Sequence, residues 1–386
     1  MKMEKQMNKP QLRFPEFVDV WNNDTLENLT ERIGDGLHGT PEYVNNSNIH
    51  FINGNNLFDG RIQINETTKK VSIETFEQNN KNLSDKTLLI SINGTIGSVA
   101  RYKNEKVMLG KSVGYFNFKE NPDFFYYLLN TSYIQNYFIS ELTGSTIKNL
   151  SLKTLRETKV NYPKNLEQFK ISAFLKTIDE KIQALKKKQN LLEHYKKGVT
   201  QKIFSLELRF NDDSGNEYPK WTLQKLGDVA KITTGSSNRQ DSILDGEFTF
   251  FDRSQDIRTS NRFLFDAEAI IVPGEGQEFI PKYFNGKFDL HQRTYAVMDF
   301  EGINGKFLFH SISFNSNHLN SHAVGSTVKS LRLPMFESMP INLPSIKEQT
   351  KIANFLSAID DKVNNNNIEI ENLQIWKKGL MQKMFC

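Results

Sequence analysis

Cysteine occurs once in 386 residues, as Cys386 at the last position. An intrachain disulfide is excluded, and a reducing, cytoplasmic setting is expected. No run of about 18 or more apolar residues occurs, so no membrane-spanning helix is expected. The opening stretch, Met1 to Pro10, is polar and lacks the apolar core of a secretory signal. Charge of one sign is not in large excess: 49 Lys and Arg stand against 45 Asp and Glu, a balance of +4. That is a weak argument for a nucleic-acid partner when taken alone. With 38% hydrophobic and 24% charged residues, the chain reads as folded rather than disordered, and its length suits two or three domains.

Catalytic and cofactor signatures are also missing. Gly110-Lys111-Ser112 resembles the end of a phosphate-cradling loop, but the glycine required five residues before Gly110 is Glu105. Asn121-Pro122-Asp123-Phe124 departs at its third residue from the Asn-Pro-Pro-Phe loop of adenine methyltransferases, and no glycine-rich cofactor loop accompanies it. His318 and His322 have the spacing of two metal ligands on a helix, yet no acidic residue follows His318 and no third ligand stands out. A non-catalytic chain without metal or cofactor is expected.

What the sequence does hold is an internal repeat. Gly144-Ser145-Thr146-Ile147-Lys148-Asn149-Leu150 returns 181 residues later as Gly325-Ser326-Thr327-Val328-Lys329-Ser330-Leu331. The same offset carries Pro163 to Pro344, Glu167-Gln168 to Glu348-Gln349, Phe174-Leu175 to Phe355-Leu356, Ile178-Asp179 to Ile359-Asp360 and Lys196-Lys197-Gly198 to Lys377-Lys378-Gly379. With a shifted offset, Leu12-Arg13-Phe14, Trp21 and Leu26 correspond to Leu208-Arg209-Phe210, Trp221 and Leu223. A period this long marks a duplicated domain rather than a solenoid. Each copy has a divergent front part and a well-kept rear part. Rear parts that make the same contacts stay alike; front parts that differ can bind different things.

The rear parts read as long helices with a coiled-coil seam. In the first, Ile171, Leu175, Ile178, Ile182, Leu185, Gln189, Leu192, Lys196, Val199 and Ile203 step by four and three; in the second, Ile352, Leu356, Ile359, Val363, Asn366, Ile370, Leu373, Lys377, Leu380 and Met384 do the same. Each spans about 33 residues, or about 50 Å, with a proline just upstream. A lone helix of this kind would leave its apolar stripe in water, so the two are expected to pair. A parallel pairing would set Leu185 against Asn366 and Gln189 against Ile370, leaving both amides without partners. An antiparallel pairing sets Ile171 against Met384, Ile203 against Ile352 and Gln189 against Asn366, amide to amide, which fixes register at some cost in stability. The expected fold is α+β (mixed α/β): front domains over 1–165 and 206–346, helices over 166–205 and 347–386.

In the front parts, Lys86 to Ala100 reads as strand, Gly-Thr-Ile-Gly turn and strand; Tyr115 to Lys119, Ala269 to Gly276 and Thr294 to Asp299 read as further strands. Asn121 to Leu142 carries aromatics at helical spacing. A short helix is expected after each of the two corresponding tryptophans, within Thr25 to Ile33 and Thr222 to Ile232. Gly34 to Asn56 and Ser236 to Asn261 read as variable loops.

Together these motifs resemble the specificity subunits of type I restriction-modification systems. The carriers are Leu-Arg-Phe with Pro15 and Trp21, Pro219-Lys220-Trp221 with Leu226-Gly227-Asp228, Gly-Thr-Ile-Gly at 94–97, Gly-Ser-Thr-x-Lys-x-Leu twice, and Pro-x-x-x-Glu-Gln followed by Ile-x-x-Phe-Leu-x-x-Ile-Asp-x-Lys twice. The resemblance implies two target recognition domains related by a pseudo-two-fold, each reading half of a split site in double-stranded DNA. It also implies an antiparallel helical spacer and docking of two methyltransferase subunits and of restriction subunits. Independently, two related readers joined by such helices would address half-sites about 34 Å apart, and unlike front parts predict an asymmetric site. The alternative is a duplicated coiled-coil scaffold without DNA recognition.

Specific binding needs phosphate contacts for affinity and base-edge contacts for sequence. The repeated loops offer Ser145, Thr146 and Lys148, and Ser326, Thr327 and Lys329, to phosphate; read plainly, each is a tight turn before a short helix. Gln292 and Arg293 suit adenine and guanine edges; read plainly, they are a polar strand edge. Arg253 and Arg258, with Arg239, lie in the second variable region. Lys111 and Arg101 are the candidates in the first half, where Gly110-Lys111-Ser112 replaces His291-Gln292-Arg293.

Overall fold

The computed structural model describes residues 9–144 and 148–386. It is mixed α/β and divides into two units. The first holds residues 1–184 and 370–386; the second holds 185–369. Two long helices, Asn165–Phe204 and Ile346–Met384, therefore contribute to both units. At 40 and 39 residues they are longer than the heptad stretch, because they begin within two residues of Pro163 and Pro344. Gln168 and Gln349 make that early start possible. Their amide Nε2 groups donate to the carbonyls of Pro163 (2.8 Å) and Pro344 (2.9 Å).

In the first unit, a four-stranded antiparallel sheet runs in the order Thr30–Asp35, Val113–Phe118, Thr87–Ser91, Val99–Arg101. A three-stranded sheet places Ile49–Ile52 between Lys70–Val71 and Val107–Leu109, the last pairing being parallel. The stretch expected as one helix is two, Pro122–Leu129 and Ser132–Ser140. Thr131 separates them: its hydroxyl accepts from Ile134 N and so caps a fresh helix. The core gathers Trp21, Leu88, Phe116, Phe124 and Phe138 with Ile171, Leu175, Ile178 and Ile182 of the first long helix, Met381 and Met384 of the second, and Phe385 just past its end.

The second unit repeats this plan with one merger. Its sheet has six strands, ordered Lys231–Thr234, Thr294–Met298, Phe265–Pro273, Lys282–Leu290, Phe248–Phe251, Arg258–Ser260. Lys282–Leu290 is continuous. Its counterpart in the first unit is broken between Arg101 and Val107, with Asn104 at φ 63°. Both variable regions thus contain strands, Ile49–Ile52 and Phe248–Phe251, which the reading as loops missed. Each is a four-residue, largely apolar strand, interrupted by His50 or Thr249, and is held by parallel pairing to a strand far along the chain. The core joins Leu226, Ile270, Phe307, Ile312 and Ile341 to Ile203, Ile352, Leu356 and Ile359 of the long helices.

Backbone pairing also corrects the alignment of the two beginnings. Asn22 pairs with Tyr162, and Thr222 with Leu343. Leu26 N donates to Thr158 O, and Leu226 N to Met339 O, both at 2.9 Å. Leu26 therefore corresponds to Leu226, not Leu223, which is exposed. The two opening motifs have partners. Arg13 donates Nε and Nη2 to Glu167 (2.7 Å each), and Arg209 donates to Glu348. Phe14 and Phe210 meet Phe174 and Phe355 edge to face, at 5.9 and 5.6 Å.

Along the long helices, the seam residues Ile171, Leu175, Ile178, Ile182, Leu185, Gln189, Ile352, Leu356, Ile359, Asn366 and Ile370 are buried, while Leu192, Val363 and Leu373 are half-buried. Asn366 Nδ2 donates to Gln189 Oε1 and to the Leu185 carbonyl, each at 3.0 Å. In the second unit, Lys196 pairs with Asp360. In the first, Lys377 pairs with Asp179 at 2.5 Å.

His310 packs into the core of the second unit, its Nε2 3.9 Å from Asp360. Burial pushes its pKa down to about 4, more than Asp360 raises it. A histidine held neutral in the fold contributes stability above its unfolded pKa of about 6.5 and loses it as pH falls toward the folded value. Unfolding melts from pH 7 to 5 are expected to show falling stability, and His310→Asn should flatten that slope. His291 and His318 are lowered in the same direction, so part of the slope should remain. An unchanged slope in His310→Asn would refute the assignment.

Candidate nucleic-acid interface

In the second unit, five chain segments converge at one end of the six-stranded sheet. The turn His291-Gln292-Arg293 links two strands, with Thr294 N donating to His291 O (3.0 Å). It is anchored on neighbouring segments: His291 N donates to Phe251 O and Gln292 N to Ser237 O, both at 2.9 Å. Gly274 N donates to Arg293 O (2.9 Å), and Leu331 N to Gly274 O (2.8 Å). Glu275 and Gly276 then pair with Ser330 and Lys329. So the second Gly-Ser-Thr-Val-Lys loop lies beside the 291–293 turn.

The loop is closed on itself by reciprocal bonds between Val324 and Ser330 (3.0 and 2.8 Å). Gly325 has φ +116°, and a Cβ there would come within 2.3 Å of Val328 O, so the tight turn requires glycine. Ser326 and Thr327 are exposed and Lys329 is half-buried. The first copy is closed the same way between Thr143 and Asn149 (3.0 and 2.9 Å). Ser145 and Thr146 lie outside the described residues.

Charge is layered around this corner. Arg253 donates Nη1 to Glu275 Oε2 (2.5 Å), and Arg293 donates Nη1 to Glu275 Oε1. Arg258 and Arg239 reach Asp252 at 3.1 and 4.0 Å. The carboxylates lie inside, with Glu275 14% and Asp252 5% exposed; the Arg253 and Arg293 side chains lie outside, 47% and 58% exposed. For Asp252, burial pushes the pKa upward, but the Ser254 hydroxyl and N–H and the two arginines outweigh it and hold the carboxyl below its usual range. The same balance holds for Glu275 against Arg293 and Arg253. Burial, then the charge of Arg253, pushes the His291 ring below its usual range. Its Nδ1 accepts the Arg293 N–H at 3.0 Å. Buried anions beneath outward guanidiniums give a positive face whose forks are oriented before any ligand arrives. Gln292 is exposed beside it, its amide on Asn238 Oδ1 (2.6 Å). A cavity of about 270 Å³ opens between Arg239, Asp252, Arg253, Glu275, His291 and Val328.

The corresponding corner of the first unit is built from small residues. Ile92 N donates to Ser112 O and Leu150 N to Ile92 O, both at 2.9 Å. Ser112 Oγ accepts from Gly54 N and donates to Asn53 Oδ1, both at 2.9 Å. A Cβ at Gly110 would come within 2.4 Å of Asn53 Oδ1 and 2.9 Å of the Phe51 ring, so a histidine there would have to displace both side chains. Lys111 and Lys148 are both exposed. Arg101 is not with them. It lies over the Tyr126 ring at 3.5 Å, bonded to Asp123 at 2.5 Å, and lines a separate cavity of about 650 Å³ with Asp179 and Lys377.

Of the candidates expected from the sequence, the fold brings together Arg253, Gln292, Arg293 and the 326–329 loop, with Arg258 one carboxylate away. Not among those candidates were Glu275, Asp252 and Arg262, which bonds Asp289 and Ser237. An acidic residue in a basic candidate site carries no sequence signal; only the fold puts Glu275 between two arginines. Among the described residues, no cluster of three or more His, Cys, Asp or Glu could hold a metal, and no helix is long and apolar enough to cross a membrane.

Comparison with known proteins agrees with this architecture. The type I restriction modification DNA specificity domain matches twice, over residues 2–194 and 218–374. The type I restriction enzyme MjaIX specificity subunit of Methanocaldococcus jannaschii is 25% identical over 333 residues, covering 77% of this chain and 76% of that one. The EcoDI specificity subunit of Escherichia coli is 30% identical over 159 residues, 41% of this chain; the match spans about a third of that subunit, 35%. The crystal structure of a type I restriction-modification S subunit from M. genitalium superposes with TM-score 0.67 at 16% identity, covering 98% of this chain and 99% of that one. A chain from a structure concerned with complex assembly and conformational transition of the type I R-M system gives TM-score 0.52 at 13% identity, over 95% and 97% of the two chains. The chain, matched over most of its length by two copies of that domain, belongs to the family of type I restriction-modification specificity subunits.

Proposed function

We propose that this chain is the non-catalytic, cytoplasmic subunit that reads a bipartite, asymmetric site in double-stranded DNA, one half-site per front domain. Two methyltransferase subunits and restriction subunits assemble on it. The front domains, over 1–165 and 206–346, are target recognition domains. The helical segments 166–205 and 347–386 form an antiparallel coiled coil that spaces them and sets the unread gap.

The observation that carries this reading is one fold built twice with unlike residues at matching corners. The 291–293 turn with its layered arginines stands in one copy; Gly110-Lys111-Ser112 stands at the same place in the other. Equal scaffolds with unequal exposed side chains are what reading two different half-sites requires. The Gln189–Asn366 contact and the two Lys–Asp pairs support the antiparallel spacer: as numbering rises from Gln189 to Lys196, the partner falls from Asn366 to Asp360.

The test is a genome-wide map of adenine methylation in cells carrying the partner methyltransferase, with and without this chain. One split, asymmetric motif is expected only in the presence of the chain. No motif, with the methyltransferase active and the chain expressed, would refute DNA recognition and leave a scaffold role.

A further inference from the structure

Counting along paired strands sets Arg253, Glu275 and Arg293 at the positions of Gly54, Asn93 and Ser112 in the first unit. All three differ together. In the first unit, the two outer positions meet directly, Gly54 N on Ser112 Oγ at 2.9 Å. In the second, they are held apart and joined through one carboxylate. A half-buried glutamate with two half-exposed arginines is costly as a mere structural brace. Two like charges are brought side by side, and a neutral serine closes the same corner in the other copy.

We infer that Glu275 is the positioning residue that presents Arg253 and Arg293 as a paired reader of guanine in the half-site taken by the second unit. This rests on the DNA-reading role proposed above and deepens it. An arginine reads guanine by two N–H groups of its fork on O6 and N7. Glu275 engages only Nη1 of each guanidinium. A side chain as long as arginine otherwise samples many rotamers, and holding the fork in advance removes that cost on binding. The backbone that carries this carboxylate is held in place by its pairing with Ser330. Ionised beneath the arginines, it also offers no attraction to phosphate, which favours a base edge as the ligand.

The experiment is the methylation map of the full complex with wild type, Glu275→Gln, Glu275→Ala, Arg253→Ala and Arg293→Ala, with a thermal melt of each. Wild type is expected to require at least one guanine in the second half-site. The arginine variants should lose that requirement, since a good bidentate contact supplies roughly tenfold to a hundredfold discrimination. Glu275→Gln keeps the size of the side chain and should relax the same position at an unchanged melting temperature, leaving the first half-site intact. Four results overturn the inference: an unchanged motif in both Glu275 variants; an unchanged motif in both arginine variants; a uniform fall in methylation without relaxation, which marks phosphate contacts; or equal damage to both half-sites, which marks a structural role. A wild-type chain yielding no motif at all would instead sink the DNA-reading role itself, separating that failure from this one.

Discussion

Replacing Glu167 by alanine is expected to cost about 3–5 kcal/mol of stability, read as a fall in the urea midpoint at constant slope. The Glu167 carboxylate takes both Nε and Nη2 of Arg13 at 2.7 Å and the Trp21 indole N–H at 3.3 Å. The two side chains are 3% and 7% exposed. Removing the carboxylate strands a guanidinium among Trp21, Phe14 and the helix start, where water cannot replace the lost partner. The pair itself is a poor source of net stability, since desolvating two charges offsets their attraction. The double variant Arg13→Met, Glu167→Leu should therefore recover most of the loss. If the double variant were as unstable as Glu167→Ala, the cost would lie in lost packing rather than in a stranded charge. Glu348→Ala should cost less. Its carboxylate is fully buried, but Arg209 is 25% exposed and already donates to the carbonyls of Tyr218 and Pro219.

That ion pair shows what the sequence made legible and what it left hidden. Leu-Arg-Phe and Glu-Gln stood out because each occurs twice, yet nothing in either motif said that they touch across 154 residues in one copy and 139 in the other. The repeat exposed the duplication, the heptad period exposed both long helices, and the two seam amides, Gln189 and Asn366, are hydrogen-bonded to each other. Local patterns succeeded where the chemistry is local. They failed for Ile49–Ile52 and Phe248–Phe251, strands of four residues whose partners at Val107–Leu109 and Leu290 are remote in sequence. They failed at Leu223, where an apolar residue drew the alignment three positions from Leu226, the leucine that is buried. At the candidate site, the cations could be singled out because a nucleic-acid partner would require them. The acids bonded to them could not, because Glu275 and Asp252 meet the arginines only once the chain is folded.

Lengthening both long helices by one heptad is expected to widen the unread gap by about three base pairs while leaving both half-sites unchanged. Seven residues add about 10.5 Å of helix, and B-DNA rises about 3.4 Å per base pair. The inserts belong between Gln189 and Leu192 in one helix and between Val363 and Asn366 in the other, where a whole heptad keeps every seam residue in phase. Added on both sides of the pairing, they leave the Gln189–Asn366 contact and the Asp179–Lys377 contact intact and lengthen only the rod between them and the other end. An insert in one helix alone has no partner to pack against. It shifts Lys196 away from Asp360 and should abolish methylation rather than move the motif. The methylation map of the doubly extended chain reads the gap directly. A gap of unchanged length, with methylation retained, would mean that the helices pair but do not set the distance between the half-sites.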